Sequence, residues 1–572
     1  MISIPDPYAI DNVPGNRALV FLVNSADEVA YSAFRLGVLP ALNHFGFPFR
    51  LLDLATVEEL PNLGVESAGV VFAHDGVGGA LSLAQSSAIV DAVASGLGIA
   101  SFDGRLWQSI PEVQQLFGLA DLVSVKAASI KADRRDHYVT EMQEDFVHEF
   151  RIPIAASCPG SISERFTSLA SDESGRSLAV AGSRLLCGGG HRVALLFSPE
   201  LWLRENFGHC MGLDDLFWRA LVWIAKKPFP ILKMPQFAVC RVDDAIGSHD
   251  HFGYVDTLNE FNWISNIGVF MDDIDDLGIQ AMKRHYDSGA AEFSVHSFHE
   301  IGEPFPDQTY MQHDGTEYTL DELKAIFERI DNFYERVGIS PSHTVNIHYD
   351  EVGINSLPFL AARDQLFTMD QIPYGVKWYA NSYSWEPYPY GHQSMHYAPM
   401  HPDLRFWDVE GHFLSSYKTP DAWMSPGEFM WGHTVFADES PETNIPKAVE
   451  AGTRAVKAGI SSGFFGTLMC HEQRIQAVTA AEWREIISGI SEKLAGWEIL
   501  YRGYDEIAQF AKDKARTRIS MAEYNEKEDK LTATLDGTCD AYLSCHVFWD
   551  YEERCVFDLV DTPAFDGTFD FE

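Results

Sequence analysis

Between residues 17 and 103, short apolar runs alternate with segments of helical spacing. RALVFLV (17–23), FRLLDL (49–54), GVVFA (69–73) and GIASF (98–102) read as buried strands. AFRLGVLPALNHFG (33–46), which ends on Gly46 despite the internal Pro40, and LAQSSAIVDAVAS (83–95) read as helices. Strands that alternate with helices predict a parallel, doubly wound sheet. The pattern resumes at RVALLFSPELW (192–202), and DDLFWRALVWIAKKPFP (214–230) predicts an amphipathic helix stopped by prolines. This places a first domain at 1–230, with the proline-rich KPFPILKMP (227–235) as candidate linker.

A second α/β region is expected over 236–515. Its strands include FAVCRV (237–242), NIGVFM (266–271), EFSVHS (292–297), TVNIHY (344–349) and GFFGTLM (463–469), and DELKAIFERIDNFYERVG (321–338) is one of its helices. Over 516–572 the pattern changes. LTATLDG (531–537), AYLSCHVFW (541–549) and ERCVFDLV (553–560) follow one another without a helix, which predicts a small C-terminal β-sandwich.

A chain of 572 residues is too long for one core, and 46% apolar with 22% charged residues is a globular composition. The formal net charge of -41 argues against nucleic acid or an anionic membrane as partner. The N-terminus has no basic-then-apolar leader pattern and the eight cysteines form no CxxC pair, so a cytoplasmic location is expected.

The strand FAVCRV runs into Asp243 and Asp244. Two adjacent carboxylates at the end of a buried strand are costly unless something compensates their charge. A helix N-cap would account for one of them; a metal ion would account for both. VHSFHE supplies His296, His299 and Glu300 at another strand end, a set that suits a divalent ion such as Zn²⁺. TLMCHE delivers His471 at a third. Strand C-termini that converge with titratable groups have the layout of a (β/α) barrel active site. The aromatic-rich loop WYANSYSWEPYPYGHQSMHY (378–397) offers Trp378, Tyr383 and Trp385 as a stacking platform for sugar rings.

These motifs resemble the polysaccharide deacetylases, carbohydrate esterases with a distorted (β/α)7-type barrel, over about 240–515. Val242-Asp243-Asp244, His296-Ser297 and Met469-Cys470-His471 carry the resemblance. It implies Asp243 as general base, Asp244 and His296 as metal ligands, and His471 as the acid that protonates the leaving amine. The family's second metal-binding His falls where this chain has Glu300, with His299 one residue early; His299 is the favoured third ligand. No Arg-Pro-Pro-Tyr segment is present. His348 is therefore a candidate to line the substrate, and Arg241 a partial replacement for the missing arginine. The N-terminal region resembles a class I amidotransferase-like or β-galactosidase middle-domain fold. FAHDGVGGALS (72–82) stands where the nucleophile elbow would be and lacks its Cys, which implies an accessory domain. Domains of this kind often support homo-oligomers.

The expected function is a metal-dependent hydrolase, with one divalent ion, that removes an N-acyl group from an amino sugar or its polymers. Two alternatives are an amidase acting on a small non-sugar N-acyl compound and a glycan-binding protein without catalysis. A retaining glycosidase needs two carboxylates across a groove. Adjacent residues of a regular strand point to opposite sides and do not supply that pair.

Overall fold

The computed structural model describes residues 6, 8–143, 147–203, 205–209, 211–248, 250–299, 309–312, 316–346, 348, 353–368, 407–408, 429–430 and 443–572. The chain divides into two compact units, with changeovers at Lys233/Met234 and Lys512/Asp513. It is a mixed α/β protein with parallel sheets. No helix among the described residues is long and apolar enough to cross a membrane.

The first unit joins residues 1–233 to 513–572. Its main sheet has nine strands among the described residues. Phe49–Asp53, Leu19–Val23, Gly69–Phe72, Gly98–Ser101 and Arg192–Leu195 run parallel, and Ser177–Gly182, Thr167–Ser171, Val123–Ala132 and His148–Cys158 extend the sheet antiparallel. The helix read over 33–46 is interrupted. A π-turn spans Phe34–Val38 before a helical segment, Leu39–His44, that carries Pro40 in its first turn, where a missing N–H costs nothing. Leu83–Ala94 starts with a reciprocal Ser82–Gln85 capping box.

The helix Asp214–Ile224 is buried on every side rather than amphipathic. Its outer face is covered by the C-terminal strands: Trp218 lies 6.3 Å from Phe548, ring to ring. Part of the proline-rich segment read as a linker is a strand. Phe229–Ile231 pairs antiparallel with His546–Phe548, and Leu543–Tyr551 pairs in turn with Arg554–Thr562. The remaining C-terminal strands, Thr517–Asn525, Lys530–Cys539 and Phe565–Phe571, form a separate antiparallel sheet.

In the second unit, Ala291–Ser297, Ser265–Phe270, Phe237–Ala245 and Gly466–His471 lie side by side in parallel, and Leu500–Tyr501 also pairs with Phe237–Ala245. Short strands Thr344–Val345, Phe367–Thr368 and Trp407–Asp408 form a second parallel group. The helix Leu320–Val337 begins with a Thr319–Glu322 capping box and stops at Gly338, whose φ of 76° is the left-handed conformation a helix end favours. The acidic run MDDIDDLG starts a helix: Asp275 caps Asp276–Asp287 by accepting from the Gly278 N–H at 2.7 Å.

The ladder of this sheet is irregular at two strand ends. Val242 pairs with Ile267 but Ala245 with Val269, so the strand holds one extra residue at the acidic pair. Val269 pairs with Val295 but Phe270 with Ser297, so the extra residue there is His296. Both are β-bulges, which re-aim side chains at a strand end.

Candidate metal centre

Along Phe237–Ala245 the apolar side chains Ala238, Cys240 and Val242 are fully buried, while Arg241 and Asp243 share the opposite face and are buried too. Each makes the other's burial tolerable. Arg241 grips Asp243 with two charge-assisted hydrogen bonds, Nε to Oδ1 and Nη2 to Oδ2, both 2.7 Å. The Asn346 carboxamide donates to Oδ1 at 2.6 Å. Burial pushes the Asp243 carboxyl up, but the charges of Arg241 and His296 and the Arg241 hydrogen bond prevail and hold it below the usual carboxylate range.

The bulge gives Asp244 a φ of 54°, unusual for a residue other than glycine. It frees this carboxylate from the alternation of a regular strand. Oδ1 lies 3.0 Å from His296 Nε2 and 3.7 Å from His348 Nε2; Oδ2 lies 3.9 Å from His471 Nε2 and accepts from Gln473 Nε2 at 3.4 Å. The next turn is pinned by the buried Glu472, which accepts from the Ile246 and Gly247 N–H groups at 2.8 and 3.1 Å. Burial raises that carboxyl to about 7.

One oxygen of Asp244 and one nitrogen each of His296 and His348 lie within 4.8 Å of one another. The donor set suits a divalent ion. His296 Nδ1 faces the Asn346 backbone carbonyl at 2.9 Å, which makes it the protonated nitrogen and turns the other ring nitrogen toward Asp244. Burial, then the neighbouring His296, lowers His348 to about 3, so its imidazole is neutral at ordinary pH. Phe270 packs edge-on against both rings, with centroids at 5.4 and 5.2 Å. A carboxylate and two imidazoles placed this way could hold a metal ion between them.

Of the residues singled out in the sequence, the structure gathers Arg241, Asp243, Asp244, His296, His348 and His471. The candidate ligand set changes in one place: the imidazole that joins Asp244 and His296 is that of His348, which the sequence offers to the substrate instead. His299, the favoured third ligand, is on the exposed side of its turn, between Asp272 at 3.3 Å and Asp273 at 3.2 Å. His296 sits in the bulge of its strand, and His299 comes two residues after that strand ends at Ser297. Glu300, Trp378, Tyr383 and Trp385 lie outside the described residues.

Sequence reasoning does not single out Asn346, although an amide inside the apolar run TVNIHY, two residues before a histidine, is the available signal. It also passes over Gly268. A Cβ there would come within 2.6 Å of Asn346 Nδ2 and 2.9 Å of His296 Nδ1, so only glycine leaves room for both.

No family model and no curated protein matches the chain. Among solved structures it is similar to a Mycobacterium smegmatis protein provisionally assigned as a polysaccharide deacetylase, at 14% identity and TM-score 0.33, covering 50% of this chain and 95% of that one. It is also similar to a family 4 carbohydrate esterase from Streptomyces lividans (11%, TM-score 0.26, 46% and 91%). A third is the chitin deacetylase of the fungus Colletotrichum lindemuthianum (11%, TM-score 0.24, 49% and 91%). Scores this low leave the chemistry of the centre to its own residues.

Proposed function

We propose that the chain is a metal-dependent hydrolase that removes an N-acyl group, acetyl in the first instance, from an amino sugar or its oligomers and polymers. The observation that carries this reading is the convergence of Asp244, His296 and His348 donor atoms within 4.8 Å beside the Arg241-held carboxylate of Asp243. In this reading Asp244, His296 and His348 hold one divalent ion, with Zn²⁺ the first choice for two nitrogens and one oxygen. When bound, the ion supplies Lewis acidity at the acyl carbonyl.

The remaining work falls to side chains. Asp243, kept ionised and fixed in direction, accepts the proton of the attacking water. His471, half-buried at the end of Gly466–His471 and 3.9 Å from Asp244, donates a proton to the leaving nitrogen, which would otherwise have to depart as an amide anion. The parallel strands of the second unit belong, on this reading, to a distorted (β/α) barrel whose strand C-termini carry the centre.

The test is metal content of the purified chain and of its Asp244→Ala, His348→Ala and His299→Ala variants, followed by acetate release from N-acetylated oligosaccharides and from small N-acyl amides. Metal near one equivalent, lost with Asp244 or His348 and accompanied by acetate release from the sugars, is the expected result. Metal content indifferent to all three changes would sink the catalytic reading. Turnover of the small amides alone would move the substrate to the non-sugar class.

A further inference from the structure

The carboxamide of Asn346 is completely buried just beyond Thr344–Val345 and meets three members of the centre at once. Nδ2 donates to Asp243 Oδ1 at 2.6 Å. Oδ1 accepts from Arg241 Nη2 at 3.4 Å and lies 3.0 Å from His296 Nδ1, while the backbone carbonyl of the same residue faces that nitrogen at 2.9 Å. A buried amide in a core is often there only to satisfy its neighbours.

Two features point past that. Asp243 already has its charge balanced by a two-pronged arginine, so a further neutral donor adds direction more than compensation. The neighbouring strand is also cut back at Gly268, where any side chain would strike Asn346 and His296 together. The space is shaped to hold this amide against these two groups.

Resting on the hydrolase reading above, we propose that Asn346 is a positioning residue with two separable tasks: its side chain aims the Asp243 carboxylate, and its backbone carbonyl fixes the tautomer of His296. The division rests on which atoms make each contact. A change of side chain removes the contact to Asp243, together with the Oδ1 contacts to Arg241 and His296, and leaves the backbone carbonyl on His296 Nδ1 in place. Base and metal ligand are therefore tied to one residue but do not respond alike to its substitution.

The experiment uses the full chain and its Asn346→Ala, Asn346→Asp and Asn346→Ser variants, with Zn²⁺ titrated into metal-free protein by calorimetry and acetate release measured on penta-N-acetylchitopentaose. For Asn346→Ala we expect Zn²⁺ affinity and KM within about threefold of the parent and kcat lower by about 10–100-fold, the usual cost of losing an outer-shell partner. Asn346→Asp keeps the shape but sets a like charge against Asp243, so its kcat falls below that of Asn346→Ala. Asn346→Ser keeps a donor and retains more kcat than Asn346→Ala. Unchanged kcat in all three variants, the reverse order of the three, or Zn²⁺ affinity that falls in step with kcat would overturn the proposal. The Asp variant, isosteric with the parent, decides the matter if the Ala variant does not fold. A parent that neither binds Zn²⁺ nor releases acetate would instead overturn the hydrolase reading, and the proposal with it.

Discussion

Each unit of this chain places a pair of carboxylates at the C-terminal ends of parallel strands, and the two pairs have opposite characters. In the first unit Asp75 and Asp103 come after Gly69–Phe72 and Gly98–Ser101, and both are buried. Their partners are mostly backbone amides: Asp103 accepts from the N–H groups of Gly76, Gly78 and Arg105 at 2.7–2.9 Å, and Asp75 from that of Gly104 at 2.7 Å. Each loop is thus held by the carboxylate of the other. Burial, and for Asp75 the proximity of Asp103, raises them to about 7 and about 6. In the second unit Asp243 and Asp244 face a guanidinium and imidazoles and are lowered despite their burial. Paired acids at strand ends do not by themselves mark a site. What distinguishes the second pair is a two-pronged guanidinium and imidazoles able to ligate, where the first pair has Arg105 at 3.9 Å from Asp75.

The strongest way to break this comparison is to remove one acid from each pair. Asp244→Ala should abolish stoichiometric Zn²⁺ binding, whereas Asp103→Ala should leave it intact and instead lower the stability of the first unit; calorimetric titration and urea unfolding separate the two effects. Next in size, Asp243→Asn should keep the metal and lose about 10²–10⁴-fold in kcat, the range for a general base. Equal losses of metal and turnover would place Asp243 among the ligands.

The third expectation concerns pH. Asp75 and Asp103 titrate higher in the folded chain than the ordinary 3.9 of an unfolded one, so the folded state keeps protons that the unfolded state releases. Their contribution is full below about pH 4 and declines as pH rises toward 7. The protection factors of the amides over Gly69–Phe72 and Gly98–Ser101, with the intrinsic base-catalysed rate divided out, should therefore fall across that range, and Asp75→Asn should flatten the dependence. A slope of the opposite sign would show that the amide contacts outweigh burial. The smallest effect belongs to His299→Ala, which should change Zn²⁺ affinity little because its ring faces Asp272 and Asp273. A loss as large as that of His348→Ala would return His299 to the ligand set.

Much of the scaffold is readable without coordinates because the signals are local. The apolar runs at 17–23, 49–54, 69–73 and 98–102 contain strands with the expected parallel pairing, and Ser82 and Thr319 start helices through capping boxes whose partners lie three residues on. The residues most often misjudged are those whose environment arrives from far along the chain. Asp214–Ile224 reads as half-exposed until strands from beyond residue 540 cover it, and the prolines of 227–235 suggest a linker where Phe229–Ile231 pairs with that same distant segment.

The candidate centre divides along the same line. The chain's chemistry at strand ends, Asp243 and Asp244 after an apolar run, His296 after another and His471 after a third, is set by residue type and period alone, since a carboxylate or imidazole there needs a partner whatever the fold. Tertiary structure decided which of them meet. The bulges at Asp244 and His296 depend on pairing with Ile267–Phe270, and His348 comes beside Asp244 from about fifty residues further along the chain. Asn346 and Gly268 acquire their meaning only when the two are packed together. Periodicity specifies the face a side chain takes in a regular strand; an extra residue in one ladder changes that face, and nothing local in the sequence announces it.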